Sequence, residues 1–124
     1  MNQLEFLVFP SEEKTIFVDD NDGYGGAHHY SVVLSKGFNN NKAEYVNDLV
    51  ELQFVQKNED GTIIPGLQSE QLAYILLDRC IKLNAKFPSD QNLKMMYGLN
   101  TFIDACEERV EQRMLRGVMG DLKK

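Results

Sequence analysis

The sequence predicts an α+β fold, with a small N-terminal antiparallel β core followed by two long C-terminal helices forming a hairpin. Two observations carry this. Up to residue 65 the chain offers short runs rich in Val, Ile, Phe and Leu, separated by clusters of Asp, Asn and Gly. From residue 66 onward apolar residues recur at helical spacing, interrupted once at Phe87-Pro88. The charge changes at the same place: residues 1–65 hold 11 Asp/Glu against 4 Lys, whereas residues 66–124 hold 8 against 9 Lys/Arg. At 124 residues the chain fits a single domain, 1–124, with a β core over 1–65 and a helical hairpin over 66–124.

The strands are expected at Leu4–Phe9, Thr15–Val18, Tyr30–Ser35 and Val50–Gln56. In the last of these Val50, Leu52 and Phe54 alternate with Glu51 and Gln53, the pattern of a strand with one wet face. Turns are expected at Asp19-Asp-Asn-Asp-Gly23, Gly37-Phe-Asn-Asn-Asn41 and Asn58-Glu-Asp-Gly61. Pro65-Gly66 marks the junction with the helical pattern.

The first helix starts at Ser69 as N-cap and runs to about Ala85 on the stripe Leu72, Leu76, Cys80, Leu83. Phe87-Pro88 ends it, because proline disfavours helical backbone at the residue before it. Ser89 caps the second helix and Asp90 suits its positive end. Met96, Leu99, Ile103, Cys106, Val110 and Met114 then form a stripe near heptad spacing, and Gly117 is the stop. Gly98 within it marks a kink or a close helix contact. Helices of this length carry more apolar surface than a small sheet covers, so self-association is expected.

Composition excludes several function classes. No apolar run approaches the length of a membrane span. Met1-Asn-Gln-Leu lacks the basic start and apolar stretch of a signal peptide, which predicts a cytoplasmic protein. Cys80 and Cys106 fall on apolar helix faces and are expected as buried thiols, not a disulfide. A net charge of −6 argues against polymeric nucleic acid, which needs a broad basic footprint.

Catalytic and metal motifs fail on inspection. Asp19–Gly23 resembles a calcium loop, but Val18 stands where its first ligand belongs and His29 where its terminal Glu belongs. Gly23-Tyr-Gly-Gly26 lacks the Lys and Ser/Thr of a phosphate-binding loop. His28 and His29 are neighbours on a strand and point to opposite faces, a poor metal pair. No serine or cysteine has an evident base, and no carboxylate pair stands out for acid–base work. No cofactor is expected.

The candidate binding residues are cationic. All 4 arginines lie in the second half, and Arg109, Arg113 and Arg116 share one side of the second helix near its end. A planar guanidinium fork suits phosphate or carboxylate, so the cluster points to a small anion. By spacing alone the favoured alternative is a helix end stabilised by its dipole and by pairing with nearby acids. Asn92, in the first turn, offers an amide to a base or ribose, or serves as a cap. Lys57 ends the last long strand, placed for an anion or simply solvated. Phe87, Tyr97 and Tyr30 are aromatics that stack on a purine or belong to the core.

Together these segments resemble a known family. Ile64-Pro-Gly-Leu-Gln-Ser-Glu-Gln-Leu72, Leu77-Asp-Arg79, Leu83-Asn-Ala-Lys-Phe87-Pro-Ser-Asp-Gln-Asn92, Arg109, Arg113 and Arg116-Gly-Val-Met-Gly120 are similar to the helical hairpin of phage Thoeris anti-defence proteins. Those proteins share a hairpin domain with anti-CBASS sponges. Tyr24–Tyr30 and Glu51–Gly61 are similar to the family's β part. The resemblance implies a phage protein without catalytic activity, acting in the cytoplasm of the bacterial host. It would bind a cyclic ADP-ribose-type signal, such as glycocyclic ADP-ribose, and keep it intact from its effector. It also implies a homodimer, in some members a hexamer built as a trimer of dimers. Some members hold cyclic di- or trinucleotides at separate sites.

By residue, the resemblance assigns polar ligand contacts to Arg109, Arg113, Arg116, Asn92 and Lys57, and Phe87 joins the expected ligand set as a stacking aromatic. Arg79 joins it, with a structural salt bridge as its alternative role. Two departures stand out. Some members carry a base-stacking aromatic on the first helix where this chain has Lys82, and Gly117-Val-Met-Gly-Asp121 replaces Gly-Val-Glu-Gly-Thr. A nucleotide-degrading enzyme and an oligomeric protein-interaction module remain the competing readings.

Overall fold

The computed structural model describes residues 2–8, 13–19, 27–40 and 42–117. The chain is α+β, an antiparallel β region followed by two helices, and it divides into two compact units, residues 1–67 and 68–124.

In the first unit the strands are β1 (Asn2–Gln3), β2 (Leu7–Val8), β3 (Glu13–Lys14), β4 (Ile16–Asp19), β5 (His29–Asn39), β6 (Lys42–Gln53), β7 (Gln56–Lys57) and β8 (Ile63–Ile64). A four-stranded sheet has the order β1-β4-β5-β6, while β2–β3 and β7–β8 are separate two-stranded ribbons. Every strand pair is antiparallel. Ile16, Val32 and Val50 lie side by side across the sheet, as do Val18, Tyr30 and Leu52. These rungs alternate in register with Phe17, Ser31 and Glu51, so side chains of the two sets point to opposite faces. Phe54 adds its ring edge-on to Tyr30, centroids 5.8 Å apart, which places Tyr30 in an aromatic core contact.

The strand boundaries differ from the sequence expectation in instructive ways. The stretch expected as one strand from Leu4 is split, with pairing at β1 and β2 and residues 4–6 outside any strand. The hairpin of β5 and β6 extends well past Ser35. Gly37–Asn39 were expected as a turn, but they pair with Lys42–Glu44 and the reversal falls at Asn40, whose φ is 53°. Asparagine tolerates that left-handed conformation better than other side chains. Register shifts between Val33 and Ser35 and between Ser35 and Gly37 absorb the irregularity, as bulges do. Lys42–Leu49 is a strand despite few β-branched residues, because pairing with β5 outweighs local preference. The turn at Asn58–Gly61 lies where expected and joins β7 to the unforeseen β8. Residues 20–26, Phe9, Asn41 and 118–121, which carry the acidic loop, the Gly-rich stretch and the closing motif, lie outside the described residues.

The second unit is a helical hairpin of α1 (Ser69–Lys86) and α2 (Asp90–Leu115). The N-cap of α1 is Gln68, one residue earlier than expected, and its N–H donates to Gln71 Oε1 at 2.9 Å. A glutamine side chain three residues on thus captures the N–H of the cap residue itself, the reciprocal half of a capping box. Phe87 closes α1, its N–H donating to the Leu83 carbonyl at 2.7 Å. Ser89 caps α2 as expected, accepting from the Asn92 N–H at 3.0 Å, while its own N–H donates to Asn84 Oδ1 at 3.1 Å. At the far end Gly117 takes φ +69°, the left-handed stop that glycine adopts without penalty. Among the described residues Ala73 and Ile103 are the buried apolar ones of the hairpin, and Tyr74 Oη donates across it to Glu107 Oε1 at 2.9 Å. A Cβ added at Gly98 would meet nothing within 4 Å, so no close helix contact forms there. Cys80 and Cys106 are free thiols, half-buried and not fully buried. No described helix is long and apolar enough to cross a membrane.

Candidate functional site

The last turns of α2 arrange the cations. With 3.6 residues per turn, Arg109, Arg113 and Arg116 fall within about 60° of arc. Arg109 and Arg116 are exposed and Arg113 is half-buried. Arg116 is the C-cap residue, its N–H donating to the Gln112 carbonyl at 3.1 Å. A guanidinium here also meets the negative end of the helix dipole.

Acids are abundant nearby, yet they are occupied elsewhere or lie on another face. Glu107 accepts from Tyr74, and Glu108 accepts from Gln112 Nε2 at 3.4 Å. Asp104, Glu107, Glu108 and Glu111 share an arc of their own, centred roughly 150° from the arginine stripe. Among the described residues neither Arg109 nor Arg116 forms an ion pair. Arg109 and Arg116 are therefore not matched by neighbouring acids among the described residues. Partial burial pushes the Cys106 thiol up and Glu70 adds to that rise, while Arg109 opposes it. Glu70 sits in the first turn of α1 and Tyr74, one turn on, reaches Glu107, so the start of α1 lies beside the Cys106–Glu107 turn of α2.

The remaining candidates lie elsewhere. Asn92 is only 7% exposed, and its Nδ2 donates to the Phe87 carbonyl at 2.9 Å. Asn92 and Phe87 thus meet at the closed end of the hairpin. Seventeen residues of helix separate Asn92 from Arg109, about 26 Å at 1.5 Å per residue. Phe87 is 62% exposed, with Lys86 Nζ 5.8 Å from its ring centroid. Arg79 is exposed on α1 and forms no ion pair among the described residues. The neighbouring Asp78 pairs with Lys82 instead, at 2.9 Å. Lys57 is half-buried on β7 in the first unit, beside the Asn58–Thr62 turn.

One side chain on the arginine stripe escaped the sequence reading. Phe102 stands seven residues before Arg109, two turns along the same face, and is 45% exposed. The heptad spacing 102, 109, 116 was the available signal. Tyr97, by contrast, is 76% exposed but roughly 120° around the helix from Arg109.

In the β unit a polar group lies on one face of β5 and β6. Ser31 Oγ donates to Glu51 Oε1 at 3.5 Å and His29 Nε2 lies 3.8 Å from the same oxygen. Ser31 is fully buried, so no substrate reaches its hydroxyl. Among the described residues no group of three or more His, Cys, Asp or Glu side chains is placed to hold a metal ion.

No protein-family model matches the chain, and comparison with curated proteins finds no match.

Proposed function

We propose that the chain is a homo-oligomeric sponge that binds cyclic ADP-ribose-type signals and withholds them from an effector without altering them. The observation that carries this reading is the stripe of guanidiniums at the end of α2, two of them without ion pairs among the described residues, in a chain otherwise acidic. A doubly phosphorylated ring needs such a cradle together with a flat apolar wall. The resemblance to Thoeris anti-defence proteins supplies the identity of the ligand. In some members of that family cyclic di- or trinucleotides occupy separate sites, and the same is open to this chain.

The hairpin's geometry adds a requirement. A pocket of about 300–1,000 Å³ is about 8–12 Å across, too small to bridge the span between Asn92 and Arg109 in one protomer. If both belong to one site, two copies must pair so that the closed end of one meets the arginine end of the other, as antiparallel α2 helices would. The exposed apolar side chains of the hairpin, Leu76, Leu83 and Met95 among them, provide surface for such pairing.

Titration calorimetry with cyclised ADP-ribose isomers tests the reading. Charge-assisted hydrogen bonds contribute about 1.5–3 kcal/mol each, so Arg109→Ala should weaken binding at least about tenfold. Arg109→Ala with Arg113→Ala should weaken it about a hundredfold or more. Because Arg109 forms no ion pair among the described residues, its replacement should leave the melting temperature nearly unchanged. Heating the complex should return the ligand chemically intact. A cleaved or isomerised product would establish a degrading enzyme instead. An absence of binding to any isomer would favour an oligomeric protein-interaction module.

A further inference from the structure

We infer that Phe102 is the aromatic wall of this site, stacking on the base of a purine-bearing ligand whose phosphates rest on Arg109 and Arg113. The inference depends on the arginine stripe being the anion site proposed above. Phe102, Arg109, Arg113 and Arg116 all fall within about 60° around the α2 axis. Seven residues, about 10 Å of helix, separate Phe102 from Arg109. Both side chains lean toward the helix N-terminus, and the longer Arg109 side chain reaches further along that direction than the ring does. That spacing matches an ADP-type ligand, whose base and phosphates sit at opposite ends of a ribose.

The other aromatics of the helical unit are excluded by position. Tyr74 is engaged by Glu107 across the hairpin. Phe87 stands at the closed end with Asn92, and Tyr97 on a different face of α2. Lys82 occupies the place where a stacking aromatic was sought on α1. Phe102 is the aromatic that shares the cations' face, with nearly half its surface open to solvent.

Stacking of a base on an aromatic side chain is worth about 1–3 kcal/mol, which converts to about 5- to 150-fold in affinity. The test compares cyclised ADP-ribose, linear ADP-ribose and inorganic pyrophosphate as titrants. Phe102→Ala should weaken the two base-bearing ligands by that factor and leave pyrophosphate unchanged. Phe102→Tyr should retain binding, and Phe102→Leu, which preserves apolar packing, should lose it as Ala does. The chain has no Trp, so Phe102→Trp installs a single reporter whose emission base stacking should quench. Equal weakening of all three titrants would mean a structural role and overturn the inference. So would full affinity in Phe102→Leu. Wild-type protein that binds none of the three would sink the anion-site reading and this one together. Binding that depends on Arg109 but not on Phe102 would sink this one alone.

Discussion

Replacing Asn92 by alanine separates two roles that its position allows. Asn92 is buried, and its Nδ2–H donates to the Phe87 carbonyl at 2.9 Å, tying the first turn of α2 back to the cap of α1. Its backbone N–H, which donates to Ser89 Oγ, survives the substitution. The loss is one hydrogen bond of about 0.5–1.5 kcal/mol net, plus the packing of a small buried side chain. Because Phe87 is exposed, water can rescue its carbonyl, which keeps the cost near the low end for an unsatisfied group. We expect about 1–2 kcal/mol in all, which for a chain of this size shifts the melting temperature by about 4–8 °C. Urea denaturation followed by helical circular dichroism measures it. Asn92→Asp keeps the shape and removes the donor. It should recover no more than the roughly 0.3–1 kcal/mol that a carboxylate gains at a helix N-terminus. A loss below about 0.5 kcal/mol for Asn92→Ala would refute the argument that the amide holds the hairpin turn. If the loss is as expected, weakened ligand binding by Asn92 variants counts as a contact only after correction for folding.

Other predictions follow from the β unit. A Cβ at Gly66 would lie 2.4 Å from the Gln53 carbonyl oxygen and 2.6 Å from Phe54 C, both backbone atoms that cannot swing aside. Gly66→Ala should therefore destabilise by about 1–3 kcal/mol or more, read as a lower denaturation midpoint with the helical signal lost in the same transition if the two units fold together. Asp60 accepts from the Thr62 hydroxyl at 2.6 Å and from the Thr62 N–H at 2.9 Å, which hold its carboxyl below its ordinary value. A depressed folded-state pKa contributes stability that is whole at neutral pH and fades as pH falls through the folded value, below about 4. An NMR titration of Asp60 should show this depression, and Thr62→Ala, which removes the hydroxyl but keeps the N–H bond, should lessen it.

Much of the fold was legible because its signals are local. Ser89, Phe87-Pro88 and Gly117 end helices through backbone chemistry that needs no distant partner, and the observed helices stop where these residues stand. Leu72 and Ile103 lie on periodic apolar faces, so the helices themselves were readable from spacing. The β unit was less legible. Lys42–Leu49 has no strong strand signal of its own and becomes a strand by pairing with β5, while the Gly and Asn cluster at 37–41 looks like a turn until the register is known. Pairing energy between distant segments decides both, and a one-dimensional pattern does not contain it.

The same division holds for the candidate site. Sequence by itself determined that Arg109, Arg113 and Arg116 share a helix face, since 3.6 residues per turn leaves no choice once the helix forms. Tertiary structure decided the rest. It turned Asn92 inward to the Phe87 carbonyl, matched Glu107 with Tyr74 and left Arg109 without an ion pair among the described residues. It also set Phe87 and Asn92 at one end of the hairpin with the arginines at the other. Which side chains meet depends on how two helices pack and where their turn closes, and those are properties of the folded hairpin, not of either helix alone.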